Sequence, residues 1–255
     1  MNEKHFKKGE VALERALSKL GFTSRSQAQK LIKGGQVRVG GKTMLNPFHR
    51  VHPETTHIEI DGQLQKASSK VIFLFHKPKH TLTTTHDPEG RKTVFDFFKK
   101  IPIKLHAVGR LDYATTGLLL LTNDTKLSDF LTNPRSDILR TYLVTVRGHV
   151  TPQILSIWLK GIEDKGETLY AKEARIQKAS HRESHVVMKL NEGKNREIKR
   201  LCKATGHEVT RLRRVAFGDL NLGDLPPGTF REVPIKEMVE AFPNLPSTIV
   251  AKFKS

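Results

Sequence analysis

The chain has 255 residues, of which 37% are hydrophobic and 27% are charged, and this is enough for a medium-sized domain and a small one, each with its own core. The net charge is +18, from 44 lysines and arginines against 26 aspartates and glutamates, and it favours a polyanionic partner such as nucleic acid. A single cysteine, Cys202, excludes an internal disulfide, the twelve histidines show no metal-ligand spacing, and no run is long and apolar enough to span a membrane.

The first 62 residues predict a short tail followed by a small module. Residues 1–10 are polar and lack the apolar core of a signal peptide, which predicts a disordered tail and a cytoplasmic protein. "VALERALSKLGF" has apolar residues at helical spacing, and "TSRSQAQKLIKGG" predicts a second helix capped by Ser24. "QVRVGGKT" and "HIEIDG" predict short strands, so residues 11–62 are interpreted as a separate domain.

A change of pattern follows residues 63–70. This stretch, "QLQKASSK", is polar and rich in small residues, and is interpreted as a linker. Beyond it, "VIFLFHKP", "GLLLLTND", "RTYLVTVRG" and "ARIQKA" predict strands, whereas "TVFDFFKKI" and "PQILSIWLKGI" predict helices. Because these elements do not alternate regularly, residues 71–255 are predicted to form an α+β domain with a mixed, mainly antiparallel sheet and flanking helices.

Two basic segments are candidates for contacts with RNA phosphates. The second helix and the hairpin of the first module carry five such cations, Arg25, Lys30, Lys33, Arg38 and Lys42. Further along, "KNREIKRLCKATG" predicts a helix that starts near Asn195 and anchors an apolar stripe in the core. The cations that flank this stripe are Lys199, Arg200 and Lys203. Ordinary solvated charges would produce the same two patterns.

The segment "VGRLDYATTGLLLLTND", residues 108–124, places Asp112 beside the most apolar run of the chain. In isolation, an aspartate in such a loop is most often a turn or cap residue. However, Arg110 lies two residues away and favours the charged form of a carboxylate. A buried strand directly behind the loop would also hold it firmly. Asp112 is therefore a candidate nucleophile or base.

These motifs resemble one bacterial enzyme family. "LERALSKLGFTSRSQAQKLIKGGQVRVGGK" is similar to the S-four RNA-binding domain, over about residues 11–62. "FLFHKPKHTLTTTHDPEGRKTVFD", "HAVGRLDYATTGLLLLTND", "LRTYLVTVRG" and the segment from "EGKNREIKRL" to "GTFREV" resemble pseudouridine synthases that modify ribosomal RNA. The resemblance is to the small-subunit-type branch, which carries an N-terminal S-four domain, and it spans about residues 71–235.

The resemblance implies an enzyme that isomerises a uridine of ribosomal RNA to pseudouridine, with Asp112 acting on a flipped-out base. Tyr142 would stack on the uracil and Lys194 would pair with Asp112, so these three are the implied catalytic positions. Arg110 would fill the space that the base leaves. The implied substrate-binding positions are Arg110, Arg196 and Leu201. Glu197 departs from the family pattern, which frequently has glutamine there.

Pseudouridine formation adds no outside group and changes no redox state, so the resemblance implies neither a cofactor nor a metal. The expected partner is structured ribosomal RNA with the uridine in a loop or bulge, and the expected state is a monomer away from membranes. The target uridine, a transfer RNA substrate and the atom that Asp112 attacks stay open. The alternative is a non-catalytic protein that binds structured RNA or assists ribosome assembly, which would be free to lose Asp112, Tyr142 or Lys194.

Overall fold

The computed structural model describes residues 9–53, 55–64 and 69–253, which divide into two compact units. The first is built from the chain up to residue 70 together with residues 101–106 and 123–125. Its N-terminal elements are β1 (Val11–Ala12), α1 (Leu13–Lys19), α2 (Arg25–Lys33), β2 (Val37–Val39), β3 (Lys42–Thr43), β4 (Arg50–Val51), β5 (Ile58–Ile60) and β6 (Gln63–Leu64). The two helices and the sheet β3-β2-β5-β6 share a core that includes Leu13, Leu17, Ile32, Val37 and Ile58.

The helix cap and the glycine turn that the sequence predicts in this module are confirmed. Ser24 caps α2, because its Oγ accepts a hydrogen bond from the backbone N–H of Gln27 at 3.1 Å. Gly40 and Gly41 both have positive φ between β2 and β3, as a tight hairpin turn requires. The predicted first helix is shorter than its pattern, because Val11 pairs with Val51 as part of a strand.

The predicted linker begins too early in the chain. Gln63 and Leu64 form β6 and pair with Ile60 and Glu59 of β5, so they belong to the sheet of the first unit. Residues 65–68 of the predicted linker and residues 1–8 of the predicted tail lie outside the described residues.

Beyond residue 70 the elements are β7 (Ile72–Lys77), β8 (His106–Ala107), β9 (Thr116–Thr122), α3 (Thr125–Thr132), β10 (Arg140–Arg147), α4 (Pro152–Lys160), β11 (Ile162–Asp164), β12 (Glu167–Leu169), β13 (Glu173–Ala179), β14 (Glu183–Leu190), α5 (Glu197–Ala204), β15 (Val209–Phe217), β16 (Leu220–Asn221), β17 (Phe230–Glu232), α6 (Ile235–Ala241) and α7 (Ser247–Val250). Short 3₁₀ helices cover Val94–Phe98, Pro134–Ser136 and Ala251–Phe253. Within the described residues, no helix is both long and apolar enough to cross a membrane.

A nine-stranded sheet forms the centre of the second unit, with the main order β13-β14-β10-β15-β9-β7-β17. Along this order the described neighbours are antiparallel, except that β9 and β15 run parallel. The predicted α+β class and the mixed, mainly antiparallel sheet are therefore confirmed. The strand of four leucines, β9, lies between β7 and β15 and is buried along almost its whole length, which is why its sequence shows no alternation.

Two apolar clusters support this sheet. One joins β7 and β9 to α3 and α6 through Leu74, Leu118, Leu127 and Met238. The other joins β10 and β14 to α4 and α5, and its members include Val144, Val186, Trp158 and Leu201. The loops at the ends of β9, β10 and β15 therefore start from strands that are fixed by packing.

Replacing Gly117 with alanine should lower the free energy of unfolding by at least about 3 kcal/mol. Gly117 has φ +107°, and a Cβ atom there would lie 2.1 Å from the backbone oxygen of Arg214 on the parallel strand β15. Urea unfolding measures the loss, and Gly148→Ala is the control. Gly148 also has a positive φ (+81°) but nothing within 4 Å, so its alanine variant should lose only about 1 kcal/mol. Equal losses would contradict the steric explanation.

Candidate active site

The loop that carries Asp112 is fastened to the chain around the end of β7. The ammonium group of Lys77 is buried and donates a hydrogen bond to the carbonyl oxygen of Thr115 at 2.8 Å. The hydroxyl of Thr83 donates to the carbonyl oxygen of Leu111 at 3.0 Å. Burial lowers the pKa of Lys77 to about 8, although the nearby charge of Asp112 raises it. The loop is thus held on both sides of Asp112 by contacts to its backbone.

Lys199 is the cation that pairs with Asp112, so the prediction that Lys194 would do so is corrected. The Nζ of Lys199 lies 3.0 Å from Oδ2 of Asp112, and both side chains are about two-thirds buried. Lys194 instead bonds the carboxylate of Glu192 and, at 2.7 Å, the carbonyl oxygen of Thr168. The reason is that α5 begins after Lys194, and Lys199 lies in its first turn.

A cavity of about 90 Å³ adjoins this ion pair and brings together five of the six predicted catalytic and substrate-binding residues. We call it the catalytic cavity. The predicted residues that line it are Arg110, Asp112, Tyr142, Lys194, Arg196 and Lys199. Leu190, Ile198 and Leu212 supply its apolar wall, which suits the faces of a flat ring. The cavity therefore combines a carboxylate, several cations, an aromatic ring and apolar surface.

Leu201 does not line the catalytic cavity, although it was predicted to support the bound base. It is fully buried and belongs to the core cluster of β10, β14 and α4. Ile198 takes the predicted place instead. Leu201 lies three residues and about 4.5 Å further along α5 than Ile198, and its side chain packs into the core.

The predicted RNA-contact residues are placed differently from one another. Arg200 is occupied by ion pairs with Asp164 and Glu167 on the β11–β12 hairpin, at 2.5 and 2.6 Å, so its predicted contact with RNA is corrected to a contact within the chain. Lys199 is held by Asp112, as described above. The remaining predicted cations are exposed, namely Arg25, Lys30, Lys33, Arg38, Lys42 and Lys203. Arg38 also donates to the carbonyl oxygen of Gly41 at 2.6 Å.

Three charged residues in or beside the catalytic cavity were not predicted from the sequence: Lys77, Glu192 and Glu197. Lys77 has a recognisable signal, since it ends the apolar run "VIFLFHK" where a lysine must find buried acceptors. Glu197 is 4% exposed, lines the catalytic cavity and accepts a hydrogen bond from the backbone N–H of Lys194 at 3.1 Å. Burial, with help from Glu192, raises the pKa of Glu197 to about 8. Its carboxyl group is therefore mostly protonated at neutral pH.

The Glu197→Gln variant should become more stable than the natural chain as the pH rises from about 5 to about 8. The ordinary pKa of this group is 4.5, so above that pH the unfolded chain loses a proton that the folded chain still holds. Stability of the natural chain therefore falls relative to the glutamine variant, by up to about 1.4 kcal/mol per pH unit, and the difference levels off above pH 8. Urea unfolding at pH 5.5, 7 and 9 measures it. An exposed control, Glu240→Gln, should follow the natural chain, and a pH-independent difference for Glu197→Gln would contradict the expectation.

Comparison with known proteins identifies the family of this chain. The family model described as RNA pseudouridylate synthase matches residues 71–204, and the S4 domain model matches residues 13–57. The ribosomal large subunit pseudouridine synthase B of Bacillus subtilis is 36% identical, over 87% of this chain and 91% of its own. A protein of Aquifex aeolicus that is named as an uncharacterised RNA pseudouridine synthase is also 36% identical, over 91% of this chain and 94% of its own.

A solved structure agrees with these relatives, and the names of the relatives correct one detail. A crystal structure of a pseudouridylate synthase is 28% identical and covers 91% of this chain and 99% of its own, with a TM-score of 0.64. The resemblance drawn from the sequence named the small-subunit-type branch, whereas the Bacillus subtilis relative is named for the large subunit. The family itself is confirmed. This chain belongs to the RNA pseudouridine synthases and carries an N-terminal S4 domain.

Proposed function

We propose that this chain isomerises a uridine of ribosomal RNA to pseudouridine, with Asp112 as the catalytic carboxylate. The observation that carries the proposal is the 3.0 Å pair between Asp112 and Lys199 at the catalytic cavity. Lys199 contacts Oδ2 of Asp112, so Oδ1 can act on the substrate. Tyr142 and Arg110 line the same cavity, so an aromatic ring and a guanidinium group are within the space that a base would enter.

The chemistry follows from what the reaction must do. The bond between the ribose C1′ and N1 of uracil breaks, a bond from C1′ to C5 forms, C5 loses its hydrogen and N1 gains one. The enzyme reaches these atoms only when the base leaves the stack, which costs a few kcal/mol and less in a loop or bulge. Asp112 acts on the nucleotide and Tyr142 stacks on the uracil ring. Arg110 fills the space in the RNA stack that the flipped base leaves.

The proposed partner is structured ribosomal RNA, and the proposed setting is a monomer in the cytoplasm. The net charge of +18 and the exposed cations of the first unit support an RNA partner whose binding weakens with salt. The name of the Bacillus subtilis relative supports ribosomal RNA of the large subunit as the first RNA to test. The S4 domain would position the RNA through its phosphates, while the catalytic cavity reads the uridine.

Mapping pseudouridines in total RNA from cells with and without this gene tests the proposal. We expect at least one ribosomal pseudouridine to disappear with the gene, and to return when the natural chain is supplied but not when Asp112→Asn is supplied. Purified chain should form the same pseudouridine in a transcript of that region without any added cofactor. Identical maps in both kinds of cell, with no product from the purified chain, would leave only the RNA-binding alternative.

A further inference from the structure

A second cavity, of about 420 Å³, adjoins the catalytic cavity. The two share part of their lining, namely Arg110, Tyr142, Glu192, Gly193 and Lys194. The residues that line only the second cavity include two arginines from different strands, Arg140 at the start of β10 and Arg214 on β15. We call it the arginine cavity. The two cavities are therefore neighbours with a common wall.

The two arginines are buried, and neither has an acidic partner in the part of the chain that the structure describes. Arg140 is 8% exposed and Arg214 is 3% exposed. Arg140 donates to backbone carbonyl oxygens, among them that of Asn191 at 2.9 Å, and Nε of Arg214 donates to the carbonyl oxygen of Leu118 at 2.7 Å. Nη2 of Arg214 is buried without a hydrogen-bond partner in the described part of the chain. No ion pair joins either arginine to a carboxylate among the described residues.

The two positive charges share one aromatic neighbour. Both guanidinium groups lie over the ring of Phe217, at 5.0 Å for Arg140 and 5.3 Å for Arg214. Burial, and to a smaller extent the charge of Arg214, lowers the pKa of Arg140, although Tyr142 and Glu197 act in the opposite direction. Burying two like charges without a counter-ion is unfavourable. An anion with several oxygens would reduce this cost and would accept hydrogen bonds from the guanidinium N–H groups. Among the described residues that line the cavity, Glu192 is the one carboxylate, and it is already paired with Lys194.

We propose that the arginine cavity binds a backbone phosphate of the RNA strand next to the target uridine. The proposal rests on the proposed function, because it takes the uracil to lie in the catalytic cavity beside Asp112. The sugar of a flipped nucleotide then lies at the shared wall, and one of its phosphates reaches Arg140 and Arg214. A phosphate held there would fix the rotated backbone while the base is out of the stack, so it would contribute to positioning rather than to sequence reading.

A scan with single uncharged phosphates tests the proposal. RNA oligonucleotides that span the mapped uridine carry one methylphosphonate at each position in turn, and kcat/KM for pseudouridine formation is measured with each. With the natural chain, we expect one position beside the uridine to lower kcat/KM by about tenfold. With Arg214→Gln, that same methylphosphonate should cost only about threefold, because the phosphate has already lost one of its two arginine partners.

Arg211→Gln is the matched control, since Arg211 is exposed on the same strand and outside the lining. It should leave the methylphosphonate profile of the natural chain unchanged. The proposal fails if Arg214→Gln and Arg211→Gln give the same profile while the natural chain makes pseudouridine. The proposed function fails instead if the natural chain makes none in the unmodified RNA.

A structure of the Asp112→Asn protein with the oligonucleotide covers the case in which Arg214→Gln does not fold. A phosphate oxygen within about 3.5 Å of a guanidinium nitrogen of Arg214 or Arg140 is expected. A base or only water in the arginine cavity would overturn the proposal.

Discussion

Asp112→Asn should lower kcat/KM for pseudouridine formation by at least about 10⁴-fold while the chain stays folded and binds RNA. An amide of the same shape has neither the negative charge nor the basicity that acting on the nucleotide requires. The fold should tolerate it because Lys77 and Thr83 hold the loop through backbone carbonyls and not through this carboxylate. Release of the C5 hydrogen from labelled RNA measures the rate, and gel-shift titration measures the affinity.

The control for this variant is Asp219→Asn, because Asp219 is an exposed aspartate that does not line the catalytic cavity. Its rate should equal that of the natural chain. Substantial product from Asp112→Asn on the mapped RNA would show that another group acts on the uridine. Loss of RNA binding together with activity would place Asp112 among the binding residues only.

Lys199→Met should lower kcat by about 10²- to 10³-fold, with little change in KM. The substitution removes the cation that lies 3.0 Å from Asp112, so the carboxylate loses both its orientation and its charge balance. Lys194→Met should lower kcat by less than about tenfold, because that ammonium group is held by Glu192 and by the carbonyl oxygen of Thr168. Steady-state kinetics on the same RNA measures both variants.

Recovery of kcat by Lys199→Arg, with KM unchanged, would show that the reaction needs a positive charge beside Asp112. An arginine keeps the charge and can still reach the carboxylate, so it should restore much of kcat. If Lys194→Met were the slower variant, or if Lys199→Met raised only KM, the pairing seen in the structure would not be the catalytic one.

The sequence predicted the elements whose signals are local. The cap at Ser24, the Gly40–Gly41 turn and the leucines of β9 each carry their information within a few residues, and each lies where it was predicted. The parallel pairing of β9 with β15 depends on residues about a hundred positions apart, and nothing in either strand specifies it. Fold class could therefore be predicted, whereas the neighbours of each strand could not.

The site shows the same division between local and distant information. Asp112, Tyr142 and Arg110 were found because each lies in a motif that resembles the family. The choice between Lys194 and Lys199 depends on where α5 begins, and Arg196 in a left-handed conformation sets that point. Likewise, the burial of Glu197 is a product of packing around the cavity, and the glutamate itself reads as an ordinary surface charge.

The two-sided fastening of the loop around Asp112 has a consequence for the choice of target. Because Lys77 and Thr83 leave that backbone little room to adapt, the deformation needed for reaction falls on the RNA strand. Uridines whose unstacking costs little free energy are then favoured over uridines in continuous duplex, regardless of the flanking nucleotide sequence. Selectivity in such an enzyme would follow the local mechanics of the ribosomal RNA as much as its sequence.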